Sequence, residues 1–362
     1  MGSPLTIGLI GAGTISGQYL ETIGRLDDLA LVAVADLDAA RAAATADACG
    51  ATATTVAQLL RRDDIDAVLN LTVPAAHADT SLATIGAGKA VYVEKPLAAT
   101  VEGARGMLDA AAAAGVVLGC APDTVLGTGV QTARAAIDGG AIGRPVSATA
   151  TMVTPGHERW HPAPDFYYQP GGGPLFDMGP YYLTTLVTLL GPVVSVTGAA
   201  SALRGERVIA TGPRAGHRIP VATPTHVTGA LVHASGAIST LLMSFDAVST
   251  HAAPIEVHGT DGSLAVPDPN LFSGDVRLDT GGGWEVLPVS AGYRQAARGY
   301  GLADLLWSGA FAGDPTAGRA QGTLAFHVLE VMQAVLTAAT EARAIPLTTT
   351  TPRPAPVPLD PR

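Results

Sequence analysis

Apolar and polar positions follow two different patterns along the chain, and the change between them comes near Asp123. Before this point, short runs rich in Val, Ile and Leu alternate with longer Ala-rich stretches that carry Arg, Asp and Gln on one side. The short runs are typical of strands buried on both faces, and the one-sided stretches of helices. Their repetition predicts βαβ units and a parallel sheet covered on both faces. The predicted strands are 6–10, 30–35, 67–71, 90–93 and 116–119.

After Asp123, Thr- and Val-rich runs alternate apolar and polar residues with a period of two, which predicts long antiparallel strands. The predicted strands are 227–233, 237–245 and 255–259. The predicted helices are 127–138, 176–190 and 321–341. Pro, Gly and aromatic residues crowd the segment 154–174, which predicts a loop. We therefore expect domains at 1–122 and 123–346, and a Thr/Pro-rich tail at 347–362 that is disordered or extended.

The composition narrows the class of protein further. Of the 362 residues, 48% are hydrophobic and 14% charged, which is the composition of a globular chain. The formal net charge is −10 with no Lys/Arg run, so we expect neither a nucleic-acid nor a membrane partner. Cys49 and Cys120 lie far apart without metal-type spacing, which favours a reducing, cytoplasmic location. No apolar run reaches the ~18 residues of a spanning helix, and the first residues do not resemble a signal peptide.

The first motif is "LIGAGTISG", which follows the first predicted strand and opens a helix. In this context Gly11 permits a tight turn, and Gly13 lets backbone N–H groups approach a pyrophosphate at the positive end of the helix. Ser16 replaces the third glycine of the fingerprint and is small enough for close packing. With Thr14 and Ile15, the turn is a candidate dinucleotide site. The alternative is a glycine-rich turn that binds no ligand.

Asp36 ends the second strand, "LVAVAD", where a carboxylate can accept both ribose hydroxyls of an adenosine. It would repel a 2′-phosphate, and no Ser-Arg or Arg-Lys pair follows it. The pattern therefore favours NAD over NADP. The alternative for Asp36 alone is a helix N-cap.

The stretch "YVEKPLA" ends a strand with Glu94 and Lys95, a charged pair that is costly to bury unless it is paired or used. Together with the glycine turn and "LTVPAAH", it resembles the Gfo/Idh/MocA oxidoreductase family. The segments "GCAPDT", "GAIGRPV", "GGGPLFDMGPYYL" and "EVHGTDGSL" also resemble it, so that the likeness reaches residue 347. The resemblance implies an α/β protein in which an N-terminal Rossmann fold precedes an α/β domain with a large, mostly antiparallel sheet.

The resemblance also implies roles for residues of the first domain. Lys95 would face substrate and nicotinamide, where a partly dry pocket and a cationic ring should lower its pKa. Glu94 would orient Lys95 or contact the cofactor ribose, and the Lys95–Pro96 bond would be cis, as it often is in the family. Thr72, Pro74 and His77 would line the nicotinamide side. An ordinary histidine at a helix start remains the alternative for His77.

The motif "GGGPLFDMGPYYL" supplies Asp177 and Tyr181, which share one helix face at this spacing. Many family members have aspartate and histidine at these positions, so Tyr181 is a departure. A lysine ammonium and a cationic nicotinamide ring would favour the tyrosinate, which could then take the hydroxyl proton. Asp177 would hold a neighbouring sugar hydroxyl or steady the pair of Lys95 and Tyr181. The alternative is an aromatic helix face packed into the core.

The loop before this helix carries aromatic and polar side chains suited to a sugar. The candidate substrate-binding residues outside the motifs are Asp123, His157, Trp160, His161 and Tyr168. No cluster has zinc-ligand spacing, so we expect no metal.

Taken together, we expect an NAD-dependent dehydrogenase that oxidises a sugar or cyclitol hydroxyl, with Lys95, Asp177 and Tyr181 as its catalytic residues. The alternatives are a keto-sugar reductase, an oxidoreductase with a tightly bound nucleotide, and a nucleotide-binding regulator without chemistry. The broad second sheet should expose one face, and we expect a homodimer or homotetramer.

Overall fold

A six-stranded parallel sheet forms the centre of the N-terminal region in the computed structural model, which describes residues 3–361. Its strands are β1 (Leu5–Ile10), β2 (Leu29–Ala35), β3 (Thr52–Thr54), β4 (Ala67–Asn70), β5 (Ala90–Val93) and β6 (Leu118–Cys120). The helices between them are α1 (Ser16–Ile23), α2 (Ala39–Cys49), α3 (Val56–Leu60), α4 (Pro74–Gly86) and α5 (Val101–Ala114). The strand order is β3-β2-β1-β4-β5-β6, so the chain adds strands on one side of β1 and then, from β4, on the other side. Ligands bind in open α/β sheets at such a switch point, here between β1 and β4.

The two faces of this sheet are buried in two separate hydrophobic clusters, as a fully apolar strand pattern requires. Ile7 and Leu9 of β1 lie in one cluster, while Ile10 and Val68 lie in the other. The predicted α/β fold is therefore confirmed. β3 escaped prediction because its three residues, Thr-Ala-Thr, carry no apolar run.

The domain boundaries differ from those predicted. The structure divides into one unit that holds the chain as far as Leu126 together with Gln295–Leu329, and a second that holds Gly127–Arg294 and the chain from Glu330 onward. Gln295–Leu329 belongs to the first unit because Leu302 of its helix lies in the same hydrophobic cluster as β1. Such a long-range return leaves no mark in local periodicity.

The second unit is built on a nine-stranded sheet with the order β16-β15-β14-β13-β7-β12-β11-β8-β17. Its strands are β7 (Pro145–Val153), β8 (Val193–Ser201), β11 (His226–His233), β12 (Ile238–Ser244), β13 (Ile255–Gly259), β14 (Ser263–Val266), β15 (Arg277–Asp279), β16 (Glu285–Val286) and β17 (Ile345–Pro346). β9 (Glu206–Val208) and β10 (Arg218–Pro220) form a separate two-stranded sheet. The sheet is mostly antiparallel, as predicted, except that β12 runs parallel to β7.

The remaining α-helices in the described part of the chain are α6 (Thr128–Asp138), α7 (Gly173–Leu190), α8 (Tyr300–Trp307) and α9 (Gly322–Glu341). α9 lies against the large sheet where two of its strands carry glycine. A Cβ on Gly198 or Gly229 would meet Val335 of α9 within 3.4 Å. α9 is also long and apolar enough, by length and composition alone, to cross a membrane. His327 and Glu330 interrupt this helix, so it contains no unbroken apolar run of ~18 residues, and 61% of its most apolar window is buried inside the protein, as in a core helix.

The C-terminal tail is extended, one of the two predicted states, and it packs within the second unit. Val357 is fully buried, and its N–H donates to the side chain of Gln131 at 2.9 Å. Arg353 donates to the carbonyl of Thr188 and to Asp138. Disorder, the other predicted state, therefore does not apply to this part of the tail.

Candidate active site

The glycine turn, Asp36 and Lys95 all follow the carboxyl ends of strands of the parallel sheet. Gly11 follows β1, Asp36 follows β2, and Lys95 lies two residues beyond β5. Because the carboxyl ends of parallel strands meet at one edge, the three share the edge at which α/β proteins bind ligands. The sequence motifs are thus brought together within the first unit.

The turn after β1 has the geometry that a pyrophosphate requires. Gly11 has φ +96°, and a Cβ there would lie 2.7 Å from the backbone of Leu71, so glycine is needed. A Cβ on Gly13 would meet no described protein atom within 4 Å, which leaves its backbone approachable. At the N-cap, Ile15, no described side chain caps α1, and the N–H groups of Ser16 and Gln18 donate to the carbonyls of Gly13 and Ile15 at 3.1 Å. Thr14 is exposed on the same turn.

Asp36 is fixed by backbone donors on both carboxylate oxygens. Its Oδ2 accepts the N–H of Ala12 at 2.7 Å, and its Oδ1 accepts the N–H of Asp38 at 2.8 Å. Each oxygen retains a second lone pair, as ribose hydroxyls would need. The Nε of Arg41 lies 3.7 Å from Oδ1, and its Nη2 lies 3.4 Å from Asp38. These residues fit a dinucleotide. Asp36 is not the N-cap of α2, because Asp38 fills that role.

The segment from Glu94 to Pro96 is held by its own backbone and by α1. Glu94 is buried, its Oε2 accepts the N–H of Lys95 at 2.7 Å, and its Oε1 accepts the hydroxyl of Tyr19 at 2.8 Å. Glu94 therefore orients the lysine, which is one of the two roles predicted for it. The Lys95–Pro96 bond is cis, as the resemblance implies. Lys95 itself is half-buried.

Tyr19 was not identified from the sequence. It lies on α1, the helix that opens at the glycine turn, and its side chain is fully buried. Burial first and the charge of Glu94 second raise the pKa of Tyr19 well above its usual value, so it is a hydrogen-bond donor. The only sequence signal is its helical position on the face toward the sheet.

The wall predicted from Thr72, Pro74 and His77 is only partly at the surface. Pro74 is exposed at the start of α4, and Thr72 is half-buried with its hydroxyl on Asn70. His77 is buried, its Nδ1 lies 2.7 Å from the carbonyl of Pro96 and its Nε2 3.0 Å from that of Thr72. His77 therefore braces the loop that carries Lys95 instead of lining an open wall, since both ring nitrogens face backbone.

Asp123 does not face a substrate, in contrast to the prediction. Its side chain has no exposed surface, and its Oδ2 accepts the N–H groups of Gly299 at 2.7 Å and Gly301 at 3.1 Å. Burial raises the pKa of this carboxyl, while the guanidinium of Arg298 4.0 Å away opposes that rise. Asp123 therefore attaches the returning segment, which the sequence did not indicate.

In the second unit, α7 places Asp177 and Tyr181 one turn apart. Asp177 is 15% exposed, and its Oδ2 lies 2.8 Å from Nε2 of His157. Tyr181 is only 5% exposed, beside the buried Tyr182. The carboxylate is thus the more accessible of the two groups.

The loop of residues 154–172, hereafter the aromatic loop, encloses His157. The ring centroids of Tyr167 and Phe245 both lie 4.4 Å from that of His157, and Trp160 lies 5.1 Å away. The indole N–H of Trp160 donates to Nδ1 of His157 at 3.3 Å. His157, predicted as a substrate contact, is therefore an internal partner of Asp177.

Tyr168 is buried, also in contrast to the prediction of a substrate contact. Its hydroxyl donates to Glu158 and accepts the N–H of His157, and its ring faces the guanidinium of Arg207. Arg207 in turn pairs with Glu158 and Asp246. The network of Glu158, Arg207 and Asp246 thus supports the aromatic loop through its contact with Tyr168.

Exposed aromatic surface on this loop comes from Trp160, 58% exposed, and from Phe166, 55% exposed. Phe166 was not among the predicted residues, although its place in the aromatic run was a usable signal. His161 is half-buried, and its Nδ1 accepts the N–H of Ala163 at 3.1 Å. Trp160 and Phe166 are the apolar faces that a sugar ring could contact. Within residues 3–361, no His, Cys, Asp and Glu side chains are grouped as a metal site requires.

The comparisons with known proteins agree with this geometry. The profile of the oxidoreductase family with an NAD-binding Rossmann fold matches residues 5–121, and that of the GFO/IDH/MocA C-terminal domain matches residues 130–265. The chain belongs to the Gfo/Idh/MocA family of NAD-binding oxidoreductases.

Its relatives include sugar and cyclitol enzymes. The chain is 34% identical over 266 residues to 1,5-anhydro-D-fructose reductase of Ensifer adhaerens, covering 71% of this chain and 74% of the relative. It is 30% identical to inositol 2-dehydrogenase of Rhizobium meliloti, over 78% and 81% of the two chains. Levoglucosan dehydrogenase in complex with NADH and levoglucosan has the same fold, with a TM-score of 0.79, 20% identity, and coverage of 95% and 99%.

Proposed function

We propose that this oxidoreductase transfers hydride between a sugar or cyclitol hydroxyl and NAD. The observation that carries the proposal is the shared sheet edge of the glycine turn, Asp36 and the half-buried Lys95. The named activities of the two curated relatives, on an anhydrosugar and on inositol, support a polyhydroxylated ring as substrate.

The residues divide the work as follows. A nicotinamide cofactor held by these residues would supply the hydride acceptor for oxidation of the alcohol to a carbonyl. The Gly11–Gly13 turn and Asp36 hold the dinucleotide, and Lys95 donates a hydrogen bond to the reacting oxygen. Tyr181 or Lys95 takes the hydroxyl proton, and Asp177 accepts a hydrogen bond from a neighbouring hydroxyl. A positioned proton carrier contributes roughly 10²–10⁴-fold to such a reaction.

NAD is the preferred cofactor in this proposal. A 2′-phosphate at Asp36 would meet a carboxylate whose oxygens are fixed by Ala12 and Asp38. Arg41 is engaged by Asp36 and Asp38, so it does not offset that repulsion. The measurement is the ratio of kcat/KM for NAD to that for NADP. A ratio above about 10 is expected for the wild type, with a fall toward unity in Asp36→Ser, whereas a wild-type preference for NADP contradicts the assignment.

The substrate class is tested by incubating the protein with NAD and inositol, levoglucosan and other cyclic polyols, while nicotinamide absorbance is followed. Asp177→Asn keeps the shape of the side chain and removes its charge. It is expected to lower kcat/KM by about 10- to 100-fold, since a hydrogen bond to a charged group is worth about 1.5–3 kcal/mol. NAD affinity should be unchanged. A protein that binds NAD and turns over no polyol, in either direction, contradicts the proposal.

A second candidate is reduction of a keto-sugar, which the reductase name of the Ensifer adhaerens relative favours. The same residues would act in reverse, with the proton carrier donating to the carbonyl oxygen. Assays with NADH and 1,5-anhydro-D-fructose distinguish the direction. A nucleotide that purifies with the protein and does not exchange would indicate an enzyme that recycles it.

We also propose that the protein forms a homodimer or homotetramer through the large sheet. On one face of that sheet, residues such as Ala150 and Leu241 are buried under the helices of the same unit. On the other face, Thr149, Thr151 and Leu242 are only half-buried, a surface of small and apolar side chains. Light scattering after size exclusion is the test, and Leu242→Arg is expected to shift an oligomer toward the monomer.

A further inference from the structure

His157 has side-chain partners on both ring nitrogens. Nε2 lies 2.8 Å from the carboxylate of Asp177, and Nδ1 lies 3.3 Å from the indole nitrogen of Trp160. The imidazole is 10% exposed and lies between the rings of Tyr167 and Phe245. The backbone N–H of His157 is held as well, by the hydroxyl of Tyr168.

The chemistry of the partners determines where the imidazole proton is. An indole N–H can only donate, so Nδ1 of His157 must be the acceptor. A neutral imidazole with an unprotonated Nδ1 carries its proton on Nε2, and this N–H donates to Asp177. Protonating Nδ1 would set two donors against each other at the Trp160 contact. The three side chains therefore form one directed chain, from Trp160 to His157 to Asp177.

We propose that His157 is a positioning residue that holds Asp177 as an ionised hydrogen-bond acceptor, and that Trp160 keeps Nδ1 of His157 unprotonated for this purpose. The inference rests on the proposed function for its meaning in catalysis, but the tautomer itself does not. The imidazole that contacts Asp177 therefore comes from the aromatic loop. α7 itself carries a tyrosine, Tyr181, one turn after Asp177. His157 thus does not touch the substrate.

The arrangement also links substrate contact to the carboxylate. Trp160 is 58% exposed, so a sugar ring could contact its face while its N–H stays on His157. A substrate that displaced this indole would loosen the hold on Asp177. Selectivity for cyclic polyols that fit the Trp160 face follows from that connection.

The first experiment determines the tautomer without any assay of activity. Protein labelled with ¹⁵N-histidine is measured by long-range ¹H–¹⁵N correlation at pH 7.5, and the His157 signals are assigned by their loss in His157→Gln. The wild type is expected to show a protonated Nε2 and an unprotonated Nδ1. Trp160→Phe, which keeps an aromatic ring but removes the donor, is expected to show protonation of Nδ1 in addition to Nε2, because Asp177 still faces Nε2 and no donor then opposes a proton on Nδ1. A wild-type ring that is protonated on Nδ1, or on both nitrogens, overturns the proposal.

The second experiment measures the effect on catalysis. His157→Phe is expected to lower kcat/KM by about 10- to 100-fold, because Asp177 loses a donor to its charge. His157→Gln, whose amide can still donate, is expected to recover to within about threefold of the wild type. The dissociation constant for NAD should not change in either variant. The matched control for loss of an imidazole is His251→Gln, since His251 is an exposed histidine of the same unit.

The two experiments separate the possible failures. If no polyol is turned over, the proposed function fails, and the tautomer measurement still decides the inference. If turnover is found and the Phe and Gln variants are equally active, or equally impaired while folded by circular dichroism, His157 does not act through its donor and the inference is overturned.

Discussion

Lys95 and Asp177 are held in place in two different ways. Around Lys95, hereafter the lysine region, buried side chains hold main-chain groups: the carboxylate of Glu94 accepts the N–H of Lys95, and the imidazole of His77 faces the carbonyls of Pro96 and Thr72. Around Asp177, the supports are side chains of the aromatic loop, which in turn rests on buried charges. The described support of Lys95 thus acts on the path of the chain, whereas that of Asp177 acts directly on its carboxylate.

The largest effect that tests this contrast is expected at Arg207, 2% exposed between Glu158 and Asp246. Arg207→Leu leaves two carboxylates without their cation and is expected to lower the free energy of unfolding by ~3–5 kcal/mol. Arg218→Leu, in the neighbouring strand β10, is the control. Its pair with Glu206 is mostly exposed, so the expected cost is below ~1 kcal/mol. Equal costs in urea melts would mean that the buried network does not support the loop.

The second effect is on turnover. Lys95→Ala is expected to lower kcat/KM roughly 100-fold or more, with NAD binding retained, if Lys95 assists proton transfer. The chain has only two lysines, Lys89 and Lys95, so reductive ¹³C-methylation gives each of them a separate NMR signal. Lys89 donates to the carbonyls of Arg62 and Ile65, and it serves as the internal reference. An unchanged kcat/KM in Lys95→Ala would remove the lysine from the mechanism.

A smaller effect is expected at Tyr19, which supports the lysine region through Glu94. Tyr19→Phe removes the hydroxyl that donates to Glu94 and should cost about 1.5–2 kcal/mol of stability, as for a hydrogen bond to a charged group. Because Glu94 still accepts the N–H of Lys95, kcat should fall less than tenfold. A loss of kcat/KM as large as that of Lys95→Ala would show that catalysis by Lys95 depends on the hydroxyl of Tyr19.

The same contrast explains what could be predicted from the sequence. Gly11, Asp36 and Lys95 follow the ends of strands of one sheet, so that the motifs and the βαβ pattern located them together, whereas the contacts of Tyr19 and His77, 75 and 19 positions from their partners, were not predicted. In the aromatic loop, Asp177 pairs with a residue 20 positions away, and Glu158 with one 49 positions away. No local pattern encodes such pairings. For that reason the burial of Tyr168 and the role of His157 were not predicted.

The failure at Asp123 has the same cause. Its place after the last strand of the sheet favoured a ligand contact, but its partners, Gly299 and Gly301, lie 176 and 178 residues further along the chain. The return of Gln295–Leu329 to the first unit could not be seen in periodicity, because it depends on which surface the helix packs against. The fold class and eight of the strands, which follow from local patterns, were predicted with bounds close to those observed, whereas β7 and β8 were not predicted.

The smallest expected effect compares His77 of the lysine region with His233, a buried histidine of the large sheet. Burial lowers the pKa of His77, against the opposing carbonyls of Pro96 and Thr72, and burial likewise lowers the pKa of His233. With a folded pKa below the unfolded value of ~6.5, the unfolded state binds more protons as pH falls through that value, so stability present above it is lost on acidification. Each histidine contributes a slope of at most about 1.4 kcal/mol per pH unit. His77→Gln and His233→Gln should each flatten the fall in unfolding free energy measured by urea melts between pH 7.5 and 5.5. A steeper fall in His77→Gln would mean that its two carbonyl partners outweigh burial, and that the lysine loop is held by an imidazolium.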